Sequence, residues 1–379
     1  SPAAPAVTAV LTLGTQTLSL PLTGPTFLPA SVPDGLGIVQ HSYTDSFTAI
    51  IPAAWVQPGL DVTVNAGPAS ADYNNLEIGA PTKVIMRMFD VHYFAQTTGD
   101  YPAGWNAELE AKWPVAELEV RRLPNVVFPE LVIPPRAGVA AARVKSQADY
   151  LAQTGLNFDG EQAAALAWNG ALKRAGGRSG RLNLSYINIY GVGAGGQAGG
   201  FSGVGNGTSA GILHHELGHA LSLPHWANSS AYPYKGPMHG IDQPTPTNEN
   251  HAGPAWGFDL PSGAFIPPTV QANNVNGHPA GTYKVDPMQG GGTGYQEPGY
   301  LLNHFSDYSM NQMRNYLEGH VLVWDSNAGQ YASWNQGAGD YTNFVSNNGV
   351  QYPIERDVQV ISLLASISGS NPSVNMVYP

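Results

Sequence analysis

The 379-residue sequence contains no cysteine, so no disulfide can staple it. Charged side chains are scarce, at 11% against roughly 25% in an average soluble protein. Acids outnumber bases to leave a formal net charge of −11 and a pI near 5.3, and Lys and Arg never form a run. Phosphate backbones are held by clustered cations, which excludes nucleic acid as a partner. No apolar stretch reaches the roughly 18 residues of a spanning helix, so no membrane span is expected. A charged n-region and an apolar h-region are also missing from the opening "SPAAPAVTAV". The expectation is a chain whose leader has already been removed.

What the chain does have is 42% apolar and 10% aromatic residues, with Gly 45 and Pro 31. That combination supplies a core and many turns, and describes a folded, loop-rich protein. An acidic balance with abundant Asn, Ser, Thr and Gly fits a secreted, extracellular bacterial protein, expected as a monomer.

Residues 1–78 read as an N-terminal β-rich, sandwich-like domain. "AVTAVLTLGTQTLSLPL" and "SFTAIIPAAWVQPGLDVTVNA" alternate apolar and polar residues between Pro and Gly clusters. Residues 79–379 read as the catalytic domain, α+β in class. "PTKVIMRMFDVHYF" (81–94) is a buried strand, "WNAELEAKWPVAELEVRR" (105–122) has helical spacing broken by proline, and "NVVFPELVIPP" is strand-like. "DGEQAAALAWNGALKRAG" (159–176) is the clearest helix, capped by Asp159 and closed before Gly176. "LNLSYINIY" (182–190) alternates as a strand, and a glycine-rich loop follows it.

A new helix, beginning near Thr208 or Ser209, carries "HHELGHALSLPH" (214–225). Helical positions i and i+4 share a face, so His215 and His219 can grip one metal ion with Glu216 beside it. Catalytic zinc takes three protein ligands and keeps a position for water. Pro224 stops the helix, and the turn it enforces can return His225 to the same ion. The spacing is that of H-E-x-x-H-x-x-G-x-x-H, the metzincin pattern, except that Ser222 stands where the pattern has glycine. That glycine adopts a left-handed turn, which costs another residue about 1–2 kcal/mol. His214 points about 100° away from His215 and is assigned to packing or surface. Zinc lowers the pKa of its water toward ~7, and Glu216 is placed to take the proton and pass it to the leaving amine. The chemistry is amide hydrolysis.

Five stretches occur in the order seen in StcE-like secreted zinc metalloproteases. They are "IPAAWVQPGLDVTV", "IGAPTKVIMRMFDV", "GFSGVGNGTSAGILHHELGHALSLPH", "DPMQGG" and "HFSDYSMNQMRNYLEGHVLVWDSNAGQYASWN". That group holds the bacterial mucinases and the ToxR-activated lipoprotein-type proteases, and the resemblance covers about residues 50–335. It implies a metzincin-like fold, one Zn²⁺ on His215, His219 and His225, Glu216 as the catalytic residue, and mucin-like O-glycosylated substrates. Met288 is the match for the methionine turn. The residue after the third histidine is Trp226, where such enzymes can carry an oxyanion-supporting tyrosine. That role is left among Tyr232, Tyr234, Tyr295 and Tyr300.

Gly203 and Gly205, in the glycine-rich loop, together with Trp226, are candidates for the substrate cleft. Trp226, Trp256 and Trp324 are also candidates for stacking on sugars or for core packing. The long Gly/Pro-rich stretch from Tyr232 to about Pro298, with His239, His251 and His278, is expected to shape the primed side of the cleft. Two rivals stay open: a zinc endopeptidase indifferent to glycans, and an inactive glycan-binding colonisation factor.

Overall fold

A computed structural model describes every residue except 31–41, 95, 97–100, 156–168, 171–179, 191–194, 207–209, 227–228, 230, 234–255, 268–269, 271–279, 281–283, 290–297, 346–357, 360, 362 and 379. The expected helix over 159–176 lies almost wholly outside the described residues.

The N-terminal alternation produces a four-stranded antiparallel sheet in the order β2-β1-β3-β4, from β1 (Val7–Leu13), β2 (Gln16–Pro21), β3 (Leu60–Ala66) and β4 (Ala69–Tyr73). Its inward positions Ala9, Leu11, Leu60 and Val62 are buried together.

A second sheet organises the rest. β5 (Lys83–Tyr93) lies at its centre and is buried along nearly its whole length. α1 (Trp105–Ala111) then leads to β6 (Glu117–Arg122), which pairs parallel with β5, and β7 (Val126–Phe128) pairs with the far end of β5. Residues 105–122 are therefore only half helical, which corrects the sequence reading. The helix ends before Pro114, and beyond it Leu118 and Val120 pack into the same core as Met86 and Met88.

β8 (Leu131–Ile133) and β9 (Ala142–Val144) form a hairpin beside α2 (Gln147–Thr154), whose first turn is capped by Ser146. β10 (Leu182–Tyr190) pairs parallel with β5 on one side and with β12 (Ser202–Asn206) on the other. β11 (Gly196–Ala198) pairs antiparallel with β12 and forms the sheet edge, giving the order β11-β12-β10-β5-β6.

A strand with parallel partners on both sides is covered on both faces, and β10 shows it. Leu182, Leu184 and Tyr186 enter one core, while Ile187 and Ile189 enter the other. Its polar residues are paired rather than wetted: Asn188 Nδ2 donates to Asp90 at 3.1 Å.

α3 (Ala210–Ala220) lies on the face that carries Tyr186, packed against β11 and β12. Beyond it come the hairpin of β13 (Gly257–Asp259) and β14 (Ala264–Ile266), a 3₁₀ turn at Pro287–Gln289, and α4 (Asp307–Glu318). The chain closes with the three-stranded antiparallel sheet β15 (Val323–Asp325), β16 (Gln330–Asn335) and β17 (Asp340–Val345), and the pair β18 (Leu364–Ser366) and β19 (Met376–Tyr378). None of the described helices is long and apolar enough to cross a membrane.

Candidate metal centre

Three imidazoles converge where α3 ends. His215 Nε2 and His219 Nε2 each lie 3.0 Å from His225 Nε2. The three are the one group of His, Cys, Asp or Glu among the described residues with ligand atoms placed to share an ion.

The local backbone explains how His225 returns. The N–H groups of Ser222 and Leu223 donate to the carbonyls of His219 and Gly218, the paired bonds of a Schellman ending. Ser222 sits at the left-handed position with φ 71°, as the pattern requires of its glycine. The serine is exposed and takes a conformation that costs a side-chain-bearing residue about 1–2 kcal/mol.

The tautomers of two rings follow from their partners. His215 Nδ1 is 2.7 Å from the Pro287 carbonyl and His219 Nδ1 is 2.7 Å from the Leu223 carbonyl. A carbonyl only accepts, so both Nδ1 atoms carry the proton and both Nε2 atoms turn a lone pair inward. Lone pairs brought this close repel unless a cation lies among them. Tetrahedral coordination at roughly 2.0–2.1 Å separates such nitrogens by about 3.3 Å, close to the spacing found. The donor set suits a divalent ion that accepts neutral imidazole.

Glu216 is almost fully buried, and burial pushes its carboxyl up to about 7. Its room is made by glycines. A Cβ on Gly196, in the edge strand β11, would stand 2.5 Å from Glu216 Cγ. Tyr186 is also buried on this face, and the Glu216 charge adds to the burial that holds its phenol protonated.

The turn below the helix is tied at each residue. Asp286, fully buried, accepts from Met288 N at 2.8 Å and from both the Ser306 N–H and hydroxyl at 2.7 Å. Pro287 lends its carbonyl to His215, and the Met288 carbonyl accepts from Trp226 N at 2.7 Å. Met288 packs beneath Gly218 with no exposure.

Trp226, Gly203 and Gly205 are corrections to the sequence reading. Trp226 is buried in the main core, stacked on Tyr232 at 5.5 Å, with its indole N–H donating to Ser309 Oγ. Gly203 and Gly205 face inward. Side chains there would strike the Tyr186 ring at 2.9 Å and its hydroxyl at 2.0 Å, so their smallness serves the approach of β12 to its own interior.

His214 is buried, and burial pushes its ring down to about 3; it stacks on Phe305 at 5.0 Å, the packing role expected. Of the tyrosines considered for an oxyanion, Tyr232 is buried against Trp226 and Tyr308, and Tyr300 lies edge-on to His304. Tyr234, Tyr295, His239, His251 and His278 lie outside the described residues. Sequence reasoning missed Asp286, Pro287, Gly196 and Tyr186. The run "DPMQGG" was the available signal for the first two, since a buried acid beside a turn proline commonly ties that turn.

Comparison with known proteins identifies the family. Residues 39–322 match the family model described as Peptidase M66. Dictomallein of Burkholderia pseudomallei (strain 1710b) is 28% identical over 411 aligned residues, which cover 97% of this chain and 57% of that protein. Dictomallein of Burkholderia mallei (strain ATCC 23344) is similar to the same extent. Dictomallein-2 of Dictyostelium discoideum is 26% identical over 415 aligned residues, covering 94% of this chain and 64% of that protein. The chain thus spans about three-fifths of the length of the curated relatives it matches. It belongs to the Peptidase M66 family.

Proposed function

We propose that the chain is the catalytic part of a secreted zinc endopeptidase of the StcE-like type, which cuts O-glycosylated, mucin-like proteins. The observation that carries the peptidase half is the convergence of three Nε2 atoms beside a buried carboxylate. The substrate half rests on the ordered sequence resemblance.

His215, His219 and His225 would hold the ion through Nε2, since the Pro287 and Leu223 carbonyls engage Nδ1 of His215 and His219. Zinc, when bound, supplies Lewis acidity toward water and the scissile carbonyl. The Glu216 carboxylate takes the proton of the attacking water on one oxygen and returns it to the leaving amine nitrogen. Burial keeps that carboxyl away from bulk solvent, so the proton stays in the site.

β11 ends the sheet and offers backbone groups to an extended substrate. Gly196 brings that edge against Glu216 and so sets the distance from substrate backbone to base.

The test pairs a mucin-type glycoprotein with its enzymatically deglycosylated form, each incubated with the wild type, with Glu216→Gln and with chelator. Cleavage confined to the glycosylated form and absent from both controls is expected. Equal cleavage of both forms would discard the glycan requirement and keep the peptidase.

A further inference from the structure

A cavity of about 200 Å³ lies on another side of α3 from the three histidines, and none of them, nor Glu216, lines it. Its walls come from the end of α1 (Lys112, Trp113), from α3 (His214), from the β13–β14 hairpin (Trp256, Phe258, Asp259) and from the start of α4 (Asp307). The volume equals several waters at roughly 30 Å³ each.

The walls hold unspent hydrogen-bonding groups. His214 has no exposure and Trp113 has 6%, yet Trp113 Nε1 makes no hydrogen bond, and the ring nitrogens of His214 make none of good geometry, with Asn303 as their polar neighbour. Asn303, beside His214, is equally buried, and its amide makes none of good geometry. Buried polar atoms are paired in nearly all cases, so a cluster of unpaired ones around one cavity marks a missing partner. The partner must both donate and accept, because Trp113 offers a proton and neutral imidazole offers one of each.

Two further features narrow the chemistry. Trp256 is buried and Phe258 is 43% exposed, so aromatic faces run from the interior to the rim. The charges disfavour an anion: Asp259 and Asp307 repel it, and the Lys112 ammonium is already held by Glu108 at 2.5 Å. An uncharged molecule with apolar C–H faces and a hydroxyl rim satisfies every wall: aromatic rings cover the faces, and carboxylates with about four lone-pair sites each accept the hydroxyls.

We propose that this cavity binds a single neutral sugar ring, as a site separate from the peptidase centre. The choice of a sugar over another small polyol rests on the glycoprotein reading above. Occupancy adds affinity for a glycosylated chain without touching the reacting atoms.

Ligand-observed NMR with galactose, glucose, N-acetylgalactosamine and the anionic control sialic acid tests this on the full chain. The wild type, Phe258→Ala and Asp307→Asn are compared, with thermal melting to show that each variant is folded. Both substitutions lie at the exposed rim. Binding of at least one neutral sugar, absent for sialic acid and weakened about tenfold in Phe258→Ala, is expected.

Failure of all the neutral sugars at tens of millimolar, or binding unchanged in both variants, would overturn the site and leave ordered water as the partner. Cleavage assays run beside these measurements keep the two readings apart. Sugar binding with glycan-independent cleavage contradicts only the proposed substrate. Glycan-dependent cleavage without sugar binding contradicts only this cavity.

Discussion

Gly218 and Met288 interlock: a Cβ on Gly218 would stand 2.2 Å from Met288 Sδ. The middle of the H-E-x-x-H helix is thereby seated on the 287–289 turn, and the same turn presents the Pro287 carbonyl to His215. Replacing Gly218 with Ala favours the helix by about 1 kcal/mol. Overpacking a closed contact costs roughly 1–3 kcal/mol, so the clash wins. Gly218→Ala is expected to melt earlier and to bind zinc more weakly. A variant as stable as wild type would show that the turn can retreat.

Ser222→Gly should act in the opposite direction. Serine at φ 71° carries a left-handed penalty of about 1–2 kcal/mol, and glycine returns roughly 0.5–1 kcal/mol of that as unfolded-state entropy. A net gain of about 0.5–1 kcal/mol in urea unfolding is expected, with turnover unchanged. A loss of stability would mean that the serine makes a compensating contact.

Asp286→Asn probes the support of the site rather than its chemistry. The amide cannot accept from Met288 N and from both Ser306 groups at once, so its NH₂ must face a donor. The expected cost is roughly 1–3 kcal/mol in stability. A fall of about 10–100-fold in zinc affinity should accompany it, measured by competition with a chromophoric chelator. Lost stability with unchanged affinity would confine Asp286 to the fold.

Glu216→Gln separates holding the metal from using it. The three histidines are untouched, so metal content is expected to stay at the wild-type level. Turnover of any cleaved substrate should fall by about 10²–10⁴-fold. Retained turnover would remove Glu216 from the proton path.

The sequence made several of these features legible, for physical reasons. β5 is read easily because a long strand buried on both faces needs apolar residues on both, and β10 because its apolar and polar residues alternate; turn signals bound each. The metal-facing side of α3 is equally plain, since helical spacing alone brings His215 and His219 together. The stretch 117–122 misled because "ELEVRR" suits an exposed helix as well as a half-buried strand, and its pairing with β5 comes from residues more than 30 positions away.

Gly203 and Gly205 announce a close approach but not its direction. That direction is fixed by their register against Tyr186 and Asn188 on β10. Asp286 escaped notice because its partners at Ser306 lie 20 residues on and no local spacing links them.

Metal analysis of the purified chain tests the central claim most directly. Zinc is counted per chain in the wild type and in His215→Ala, His219→Ala and His225→Ala, with circular dichroism to confirm that each is folded. One zinc per wild-type chain, lost from every folded variant, is the predicted result. A folded His225→Ala that keeps full zinc, or a wild type that takes up none when zinc is supplied, would contradict the three-histidine centre.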